Sequence, residues 1–228
     1  MCGRFTLRQT PEEIAVSFQL SAIDEQIITP QYNIAPTKTI AAITLDAKNS
    51  QRQLKGLRWG LIPSWAKDDK IGYRLINARA ETLSEKASFR NAFKNRRCLI
   101  LADGFYEWQK TEKQKQPYYF QLKDKKPFAF AGLWETWQPP DGEIIASCTI
   151  ITTEANELVK PIHDQMPVIL SPDAYDQWLD PKMKQSEIIT PLLKPYDEQA
   201  METYSVSQAV NRPSYNQPDC IEPLSKKV

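Results

Sequence analysis

The sequence predicts an α+β fold: a single mixed domain with a strand-rich, barrel-like core and a few short helices. Apolar and β-branched runs recur along the middle of the chain between turn-rich stretches, which is typical of strands. No β-α-β rhythm or glycine-rich phosphate loop accompanies them, which argues against a doubly wound nucleotide-binding fold. The 228 residues, 41% apolar and 25% charged, are enough for one buried core, so we expect one domain over residues 1–228.

Helix signals are few and local. Thr10 is a candidate N-cap, Pro11 suits the first helical position, and Glu13 completes a capping box. A second helix is expected to begin at Ser171, and a third to run through residues 184–194.

Strands are predicted wherever an apolar, β-branched or aromatic run is bounded by turn residues. A late strand is expected near METYSV, close to the end of the chain. The other predicted strands carry the sequences TIAAITL, LRWGLI, RRCLILAD, PYYFQL, PFAFAGLW, IIASCTIITT and MPVIL.

Composition argues against metal and disulfide chemistry. The four cysteines are scattered over positions 2, 98, 148 and 220, and His163 is the single histidine. Neither a disulfide framework nor a CxxC metal site follows from this spacing. A catalytic metal normally takes more nitrogen or thiolate ligands, so we expect no metal and no cofactor.

The chain carries no sign of export or of membrane insertion. Its first ten residues, MCGRFTLRQT, lack the apolar core of a signal peptide, and no apolar run is long enough to span a bilayer. We therefore expect a cytoplasmic protein. The net charge of +1 argues for no particular partner, and since nothing marks an exposed apolar seam, we expect a monomer.

Positive charge is concentrated in one stretch. Residues 67–97 hold nine Lys or Arg and four Asp or Glu, an excess of five. Such a strip can follow a phosphate backbone, and Trp59, Trp65 and Trp108 can offer stacking faces to unpaired bases. Basic runs are also common on solvated helix faces, and tryptophans are common in cores, so this pattern alone leaves both interpretations open.

Cys2 is the residue of the sequence that most specifically indicates a chemical reaction. Met1 before a small residue is the pattern that favours methionine removal, which leaves an amine and a thiol on one residue. With an aldehyde, such a 1,2-aminothiol forms a Schiff base and then a five-membered thiazolidine ring. Near pH 7 both groups have accessible nucleophilic forms, since the amine titrates near ~8 and a free thiol near ~8.5. Gly3 permits close backbone approach and Arg4 adds a cation, although a cysteine at this position can also be incidental.

Three polar side chains alternate in the segment INARAET. Asn77, Arg79 and Glu81 would share one face of an extended segment, where they can meet a substrate. Ordinary strand pairing with a surface salt bridge is the alternative.

A carboxylate stands in an apolar and aromatic run just after a predicted turn at Asp103 and Gly104. Partial burial there would raise the pKa of Glu107 toward neutrality and make it a general acid or base. An outward-facing strand residue is the alternative. His163, next to Asp164, can complete a Cys, Glu and His group for work on a Schiff base or for peptide hydrolysis, or it can be structural.

Taken together, several motifs resemble the SRAP family, the SOS response-associated peptidases. They occur in family order along nearly the whole chain, which is far more specific than any one of them. The motifs are CGRF, YNIAPT, WGLIPSW, INARAET, RRCLILADGFYEW, IITTEAN and IHDQMPVIL.

The resemblance implies a single SRAP domain that recognises abasic sites in single-stranded DNA and shields them by a covalent crosslink. Cys2 would form the thiazolidine after self-cleavage removes Met1, Glu107 would serve in acid and base steps, and Asn77 and His163 would position or protonate the opened sugar. The protein would associate with the nucleoid when bound to DNA. Arg4 and Arg79 are the implied phosphate contacts, and the weaker candidates for the DNA channel are Asn33, Pro36, Trp65, Trp108 and Thr152.

One departure from the family pattern concerns DNA binding. Many members have arginine after the HD pair, whereas this chain has Gln165. A neutral amide can donate a hydrogen bond but releases no counterion, so the departure bears on binding strength more than on chemistry.

Two other functions remain open at this point. A thiol peptidase would use Cys2 on an amide with His163 as base, and would tolerate a blocked amine. A non-covalent reader of modified or single-stranded DNA would not need Cys2 at all.

Overall fold

The core is a closed five-stranded barrel with a second sheet beside it. The computed structural model describes residues 2–46, 51–110, 115–184 and 186–224. Within these ranges the strands are β1 (Phe5–Leu7), β2 (Gln31–Ile34), β3 (Thr39–Leu45), β4 (Arg52–Trp59), β5 (Asn77–Arg79), β6 (Arg97–Ala102), β7 (Gly104–Lys110), β8 (Lys115–Leu122), β9 (Phe128–Trp137), β10 (Ile145–Glu154), β11 (Gln165–Pro167), β12 (Ile169–Leu170) and β13 (Met201–Ser205).

Barrel closure depends on the longest strands. The order β10-β4-β3-β6-β9 closes into a ring because β9 also pairs with β10, for example Cys148 opposite Trp134. The ring encloses buried apolar side chains such as Ile43, Leu57 and Phe130. This confirms the prediction of an α+β, barrel-like core, and every predicted strand sequence overlaps an observed strand.

The second sheet has the order β13-β8-β7-β1-β2, and all of its pairs are antiparallel. The chain passes from the barrel into this sheet at Asp103, between β6 and β7. Only glycine fits at position 104, since a Cβ there would lie 2.0 Å from the Tyr119 hydroxyl oxygen. The predicted turn is therefore a bend that joins two sheets.

The described helices are short: α1 (Pro11–Phe18), α2 (Arg90–Asn95), α3 (Tyr175–Leu179) and α4 (Ser186–Ile189). The capping box of α1 is present, with Glu13 N donating to Thr10 Oγ1 and Thr10 N donating to Glu13 Oε2. This confirms the first predicted helix.

The other two predicted helices are shorter than expected. The helix expected from Ser171 begins as a 3₁₀ turn at Pro172–Ala174, and Ser171 makes no side-chain cap hydrogen bond. The helix expected over residues 184–194 is reduced to α4 and a 3₁₀ turn at Thr190–Leu192. Pro191 lacks an N–H to continue the α-helical pattern.

The basic stretch is not one continuous surface. Arg97 is buried, and it donates to the carbonyl oxygens of Trp178 at 2.6 Å and Phe93 at 2.7 Å. Arg96 forms an ion pair with Glu135. Trp59 is fully buried, so of the two interpretations left open for it the core residue is the one observed. No helix within the described ranges has the length and apolar character needed to cross a membrane.

Candidate active site at Cys2

A cleft at the edge of the second sheet brings together the two ends of the chain and the middle of β7. Its volume is about 440 Å³. A larger hollow of about 580 Å³ lies elsewhere, but no cysteine, histidine or glutamate lines it. The residues lining the smaller cleft are Gly3, Arg4, Glu107, Trp108, Lys110, Lys115, His163 and Asn211.

Cys2 is fully buried just ahead of β1, next to this cleft. Asn77 Nδ2 donates to the carbonyl oxygen of Cys2 at 2.8 Å, and the Cys2 thiol donates to the carbonyl oxygen of Arg4 at 3.8 Å. Asn77 is itself fixed by β5, which pairs in parallel with β10 and sets Asn77 opposite Ile150. The backbone of Cys2 is thus anchored to the wall of the barrel.

The ionisation of the Cys2 thiol differs from the sequence-based expectation. Burial raises its pKa well above the ordinary value, and the nearby negative charge of Glu107 raises it further. The expected thiol pKa near ~8.5 is therefore wrong for this environment. At neutral pH the sulfur stays protonated, so any reaction through it requires a base.

Glu107 is suited to be that base. It lies on β7 opposite Tyr118 and is only 2% exposed. Burial raises the pKa of Glu107 to about 7, which confirms the predicted direction. A group with a pKa near the working pH both accepts and donates protons efficiently.

His163 lines the same cleft from the loop before β11. Its Nδ1 lies 3.0 Å from the exposed carboxylate of Asp164, and it accepts the backbone N–H of Gln165 at 3.0 Å. Burial lowers the pKa of His163, so the ring is mainly neutral at pH 7. The same Nδ1 also lies 3.2 Å from the carbonyl oxygen of Gln165.

Arg4 and Trp108 also line the cleft. Arg4 Nη1 donates to Asn33 Oδ1 at 2.7 Å and to the carbonyl oxygen of Val210 at 2.8 Å. The Arg4 guanidinium carbon lies 5.8 Å from the centre of the Trp108 ring, and the indole N–H donates to Asn211 Oδ1 at 2.7 Å. These contacts hold a cation and an aromatic face side by side at the cleft.

Asn33 has a different placement from the one expected of a channel residue. It is buried, and its Nδ2 donates to the carbonyl oxygens of Val210, Arg212 and Tyr215. Asn33 therefore holds the late segment 206–216 in place, and that segment supplies Asn211 to the cleft.

The remaining predicted residues lie outside the lining of the cleft. Arg79 is exposed at the end of β5, and the buried Thr152 lies opposite it on β10. Pro36 is half-buried after β2, and Trp65 is 58% exposed in the loop after β4.

The segment INARAET is extended only in part. Asn77 and Arg79 alternate along β5 as predicted, but the strand ends there. Glu81 lies in a 3₁₀ turn over Ala80–Thr82, so it does not continue the same face. The expectation that all three side chains share one extended face is wrong for Glu81.

Three lining residues were not predicted from the sequence: Lys110, Lys115 and Asn211. Lys110 follows Trp108 at the alternate strand position, which is a signal that was available. Asn211 has no local signal, because only the tertiary fold brings it to Trp108. Within the described ranges, no three or more His, Cys, Asp or Glu side chains are grouped to hold a metal ion.

A family model and several known proteins match this chain over most of its length. The family model described as SOS response associated peptidase (SRAP) matches residues 1–213. The chain is 50% identical over 224 residues to "Abasic site processing protein YoqW" of Bacillus subtilis (strain 168), covering 97% of this chain and 99% of that protein. It is 37% identical to "Abasic site processing protein HMCES" of Xenopus tropicalis, covering 85% of this chain and 64% of that protein.

A solved structure shares the fold. The X-ray structure of a protein from Bacteroides thetaiotaomicron has a TM-score of 0.87 and 29% sequence identity, and the match covers 98% of this chain and 100% of that one.

Proposed function

The chain belongs to the SOS response-associated peptidase family, and on that premise we propose that it processes abasic sites in single-stranded DNA by a covalent crosslink through Cys2. Relatives named as abasic site processing proteins support the substrate class. The observation that carries the chemistry is that Cys2 is buried next to the cleft that Glu107 lines, with the negative charge of Glu107 acting on the Cys2 thiol.

The reaction requires a free amine on Cys2. Once Met1 is removed, that amine attacks C1′ of the ring-opened deoxyribose and gives a carbinolamine, which loses hydroxide as water and becomes an imine. The sulfur then bonds to the imine carbon, and the thiol proton is transferred to the imine nitrogen. The thiazolidine product therefore has the mass of protein plus DNA less one water.

Glu107 supplies the proton transfers that this sequence needs. In its protonated form it donates to the departing hydroxyl of the carbinolamine, and as carboxylate it accepts the thiol proton. Because its pKa is about 7, both forms are populated at neutral pH. Because burial keeps the Cys2 thiol protonated, the second of these steps depends on the base.

The surrounding residues orient the two reactants. Asn77 fixes the Cys2 backbone through its carbonyl oxygen, and His163 offers a neutral ring to the opened sugar. Arg4 and Arg79 are proposed as phosphate contacts, with Trp65 and Trp108 as stacking faces for neighbouring bases.

Removal of Met1 is the peptidase step of the proposal. We assign it to the chain itself, with the Cys2 thiol and Glu107 acting on the Met1–Cys2 amide. Translation in a cell-free system without methionine aminopeptidase tests this: hydrolysis of the amide by water should leave the wild type lighter by one methionine residue, and Glu107→Gln should retain Met1. Retention of Met1 by the wild type would show that another enzyme must supply this step.

The main test is the intact mass of the purified protein before and after incubation with an oligonucleotide carrying one abasic site. The wild type should gain the oligonucleotide mass less one water, and the product should survive denaturation. Cys2→Ala and a form with the amine of Cys2 blocked should gain nothing. Cys148→Ala, which removes a buried cysteine of the barrel, is the matched control and should react like the wild type.

An adduct on the amine-blocked form would favour a thiol reaction without imine formation. If the wild type gives no adduct although Met1 is gone, the proposed function is wrong.

A further inference from the structure

Two lysines face each other in the β7–β8 hairpin, where β7 ends and β8 begins. Lys110 and Lys115 are a directly opposite pair in the antiparallel register, and both line the cleft that holds Glu107 and His163. Both side chains are exposed. Like charges directly opposite each other destabilise a strand pair, so this arrangement calls for a physical reason.

The adjacent residues hold this part of the hairpin in place on both sides. Gln109 Nε2 donates to the carbonyl oxygen of Pro161, and Gln116 Nε2 donates to the carbonyl oxygen of Val206. The first bond connects β7 to the loop before His163, and the second connects β8 to the late segment 206–216. The backbones of the two lysines are thereby fixed relative to both walls of the cleft.

Neither ammonium group has a carboxylate partner within the described ranges. The ion pairs found there involve other lysines and arginines, such as Lys126 with Asp124 and Lys160 with Glu157. The pKa of His163, lowered mainly by burial, is lowered further by the charge of Lys110. Lys110 and His163 thus line the same cleft closely enough for their charges to interact.

A row of matched groups runs along this wall. Trp108 and Lys110 occupy alternate positions of β7 and so share a face. The Arg4 guanidinium lies over the Trp108 ring at 5.8 Å. An aromatic ring flanked by cations is the arrangement that binds a single strand, since the ring stacks on a base and the cations contact the backbone.

We propose that Lys110 and Lys115 together bind one phosphate of the DNA strand next to the reacting sugar. This inference rests on the proposed function and adds to it a phosphate site on the hairpin. The phosphate neutralises the facing ammonium groups and seats the strand so that the opened sugar lies over Cys2 and Glu107. Lysines on a hairpin edge also discourage edge-to-edge pairing of sheets, and that alternative predicts no effect on DNA binding.

Salt-dependent binding tests the proposal. The probe is a fluorescent single-stranded oligonucleotide with a tetrahydrofuran abasic analogue, which has no aldehyde and so reports binding without crosslinking. Anisotropy titrations from 50 to 200 mM salt should give a log–log slope smaller by about 0.7 for K110Q/K115Q, the value for one phosphate on a single strand. Binding at 50 mM salt should be about tenfold weaker, as expected for loss of a charged hydrogen bond.

Two control variants make the outcome specific. K110R/K115R retains both charges and should keep the wild-type slope. K182Q/K184Q removes two exposed lysines between α3 and α4, outside the cleft, and should also leave the slope unchanged. A K110Q/K115Q slope equal to that of K182Q/K184Q overturns the proposal.

Crosslinking separates this inference from the function on which it rests. With saturating abasic-site DNA at 50 mM salt, K110Q/K115Q should form the full amount of adduct, because it lacks only a binding contact. Failure of the wild type to form an adduct contradicts the proposed function. Normal crosslinking by the wild type together with an unchanged slope in K110Q/K115Q contradicts the lysine site alone.

Discussion

Two buried carboxylates on the same chain segment, Asp103 and Glu107, have different surroundings. Asp103, at the bend before β7, accepts hydrogen bonds from the backbone N–H of Arg8 at 2.6 Å, from Arg8 Nε at 3.0 Å and from the Thr6 hydroxyl. Glu107, in the middle of β7, lines the cleft, and its negative charge raises the pKa of the nearby Cys2 thiol beyond the effect of burial. The Asp103 carboxylate is buried against the Arg8 guanidinium.

Burial raises the pKa of a carboxylate, and the groups around the carboxylate determine how far. Burial raises the pKa of both groups, but at Asp103 the charge of Arg8 and the hydrogen bonds to the carboxylate work against that increase. At Glu107 burial brings the pKa to about 7. Asp103 therefore stabilises the junction between the sheets, whereas Glu107 is available for proton transfer at neutral pH.

Replacement of Glu107 should have the largest effect on the crosslinking rate. Glu107→Gln should slow crosslinking about 100-fold, because the thiol loses the base that accepts its proton. Single-turnover mass spectrometry with saturating abasic-site DNA measures this rate. The matched control is Glu135→Gln, a buried carboxylate outside the cleft that pairs with Arg96. Equal rates in the two variants would contradict the assignment of the base.

The complementary change is at Asp103. Asp103→Ala should lower the free energy of unfolding by about 3 kcal/mol, since it leaves the Arg8 guanidinium and the Thr6 hydroxyl without their buried acceptor. Urea denaturation measures the loss. Asp124→Ala, in an exposed ion pair with Lys126, should change stability by less than about 1 kcal/mol. If the crosslinking rate per folded molecule of Asp103→Ala fell as far as that of Glu107→Gln, the assignment of different roles to the two carboxylates would be wrong.

The pH dependence of stability tests the raised pKa of Glu107. The pKa of Glu107 is about 7 in the folded chain against an ordinary value of 4.5. Because the folded state holds this proton more tightly, its contribution to stability is lost as pH rises from about 5 to 8, by about 2 kcal/mol. Glu107→Gln removes this contribution, so its stability relative to the wild type should increase over that range. Urea titrations at pH 5 and pH 8 test it, and a constant difference would argue against the raised pKa.

The smallest expected effect concerns the wall of the cleft. Asn211→Ala removes the hydrogen bond to the Trp108 indole, worth about 1 kcal/mol. The DNA concentration for half-maximal crosslinking should rise about fivefold, with the saturated rate unchanged. Asn95→Ala, an exposed asparagine of α2, is the control. A lower crosslinking rate at saturating DNA in Asn211→Ala would instead indicate that Asn211 and Trp108 contribute to the chemical step.

The strands were predictable because their apolar and β-branched patterns are local. Helix ends were less so, since Pro191 stops a pattern that otherwise favours a longer helix. The burial of Glu107 followed from the aromatic run around it. The strongly raised thiol pKa of Cys2 did not, because it depends first on complete burial in the folded chain and then on the charge of Glu107.

Charge was the least predictable property. Arg96 and Arg97 lie in the basic stretch but contact Glu135 and interior carbonyl oxygens, which no sequence pattern announces. The opposite case is the pair Lys110 and Lys115, whose facing positions emerge only from the strand register. Composition gives only the number of charged residues, whereas the tertiary contacts determine which of them line the cleft.

The bonds from Arg4 and Asn33 to the late segment 206–216 have a consequence for synthesis. Arg4 lies 206 residues before its partner Val210. At ~5–20 residues per second, a ribosome needs roughly 10 to 40 s to make that stretch. During this interval the nascent chain contains Arg4 and Asn33 but not the segment that they bind. Completion of the cleft is thus one of the last events of biosynthesis, and a ribosome that stalls before Val210 leaves the cleft without Asn211.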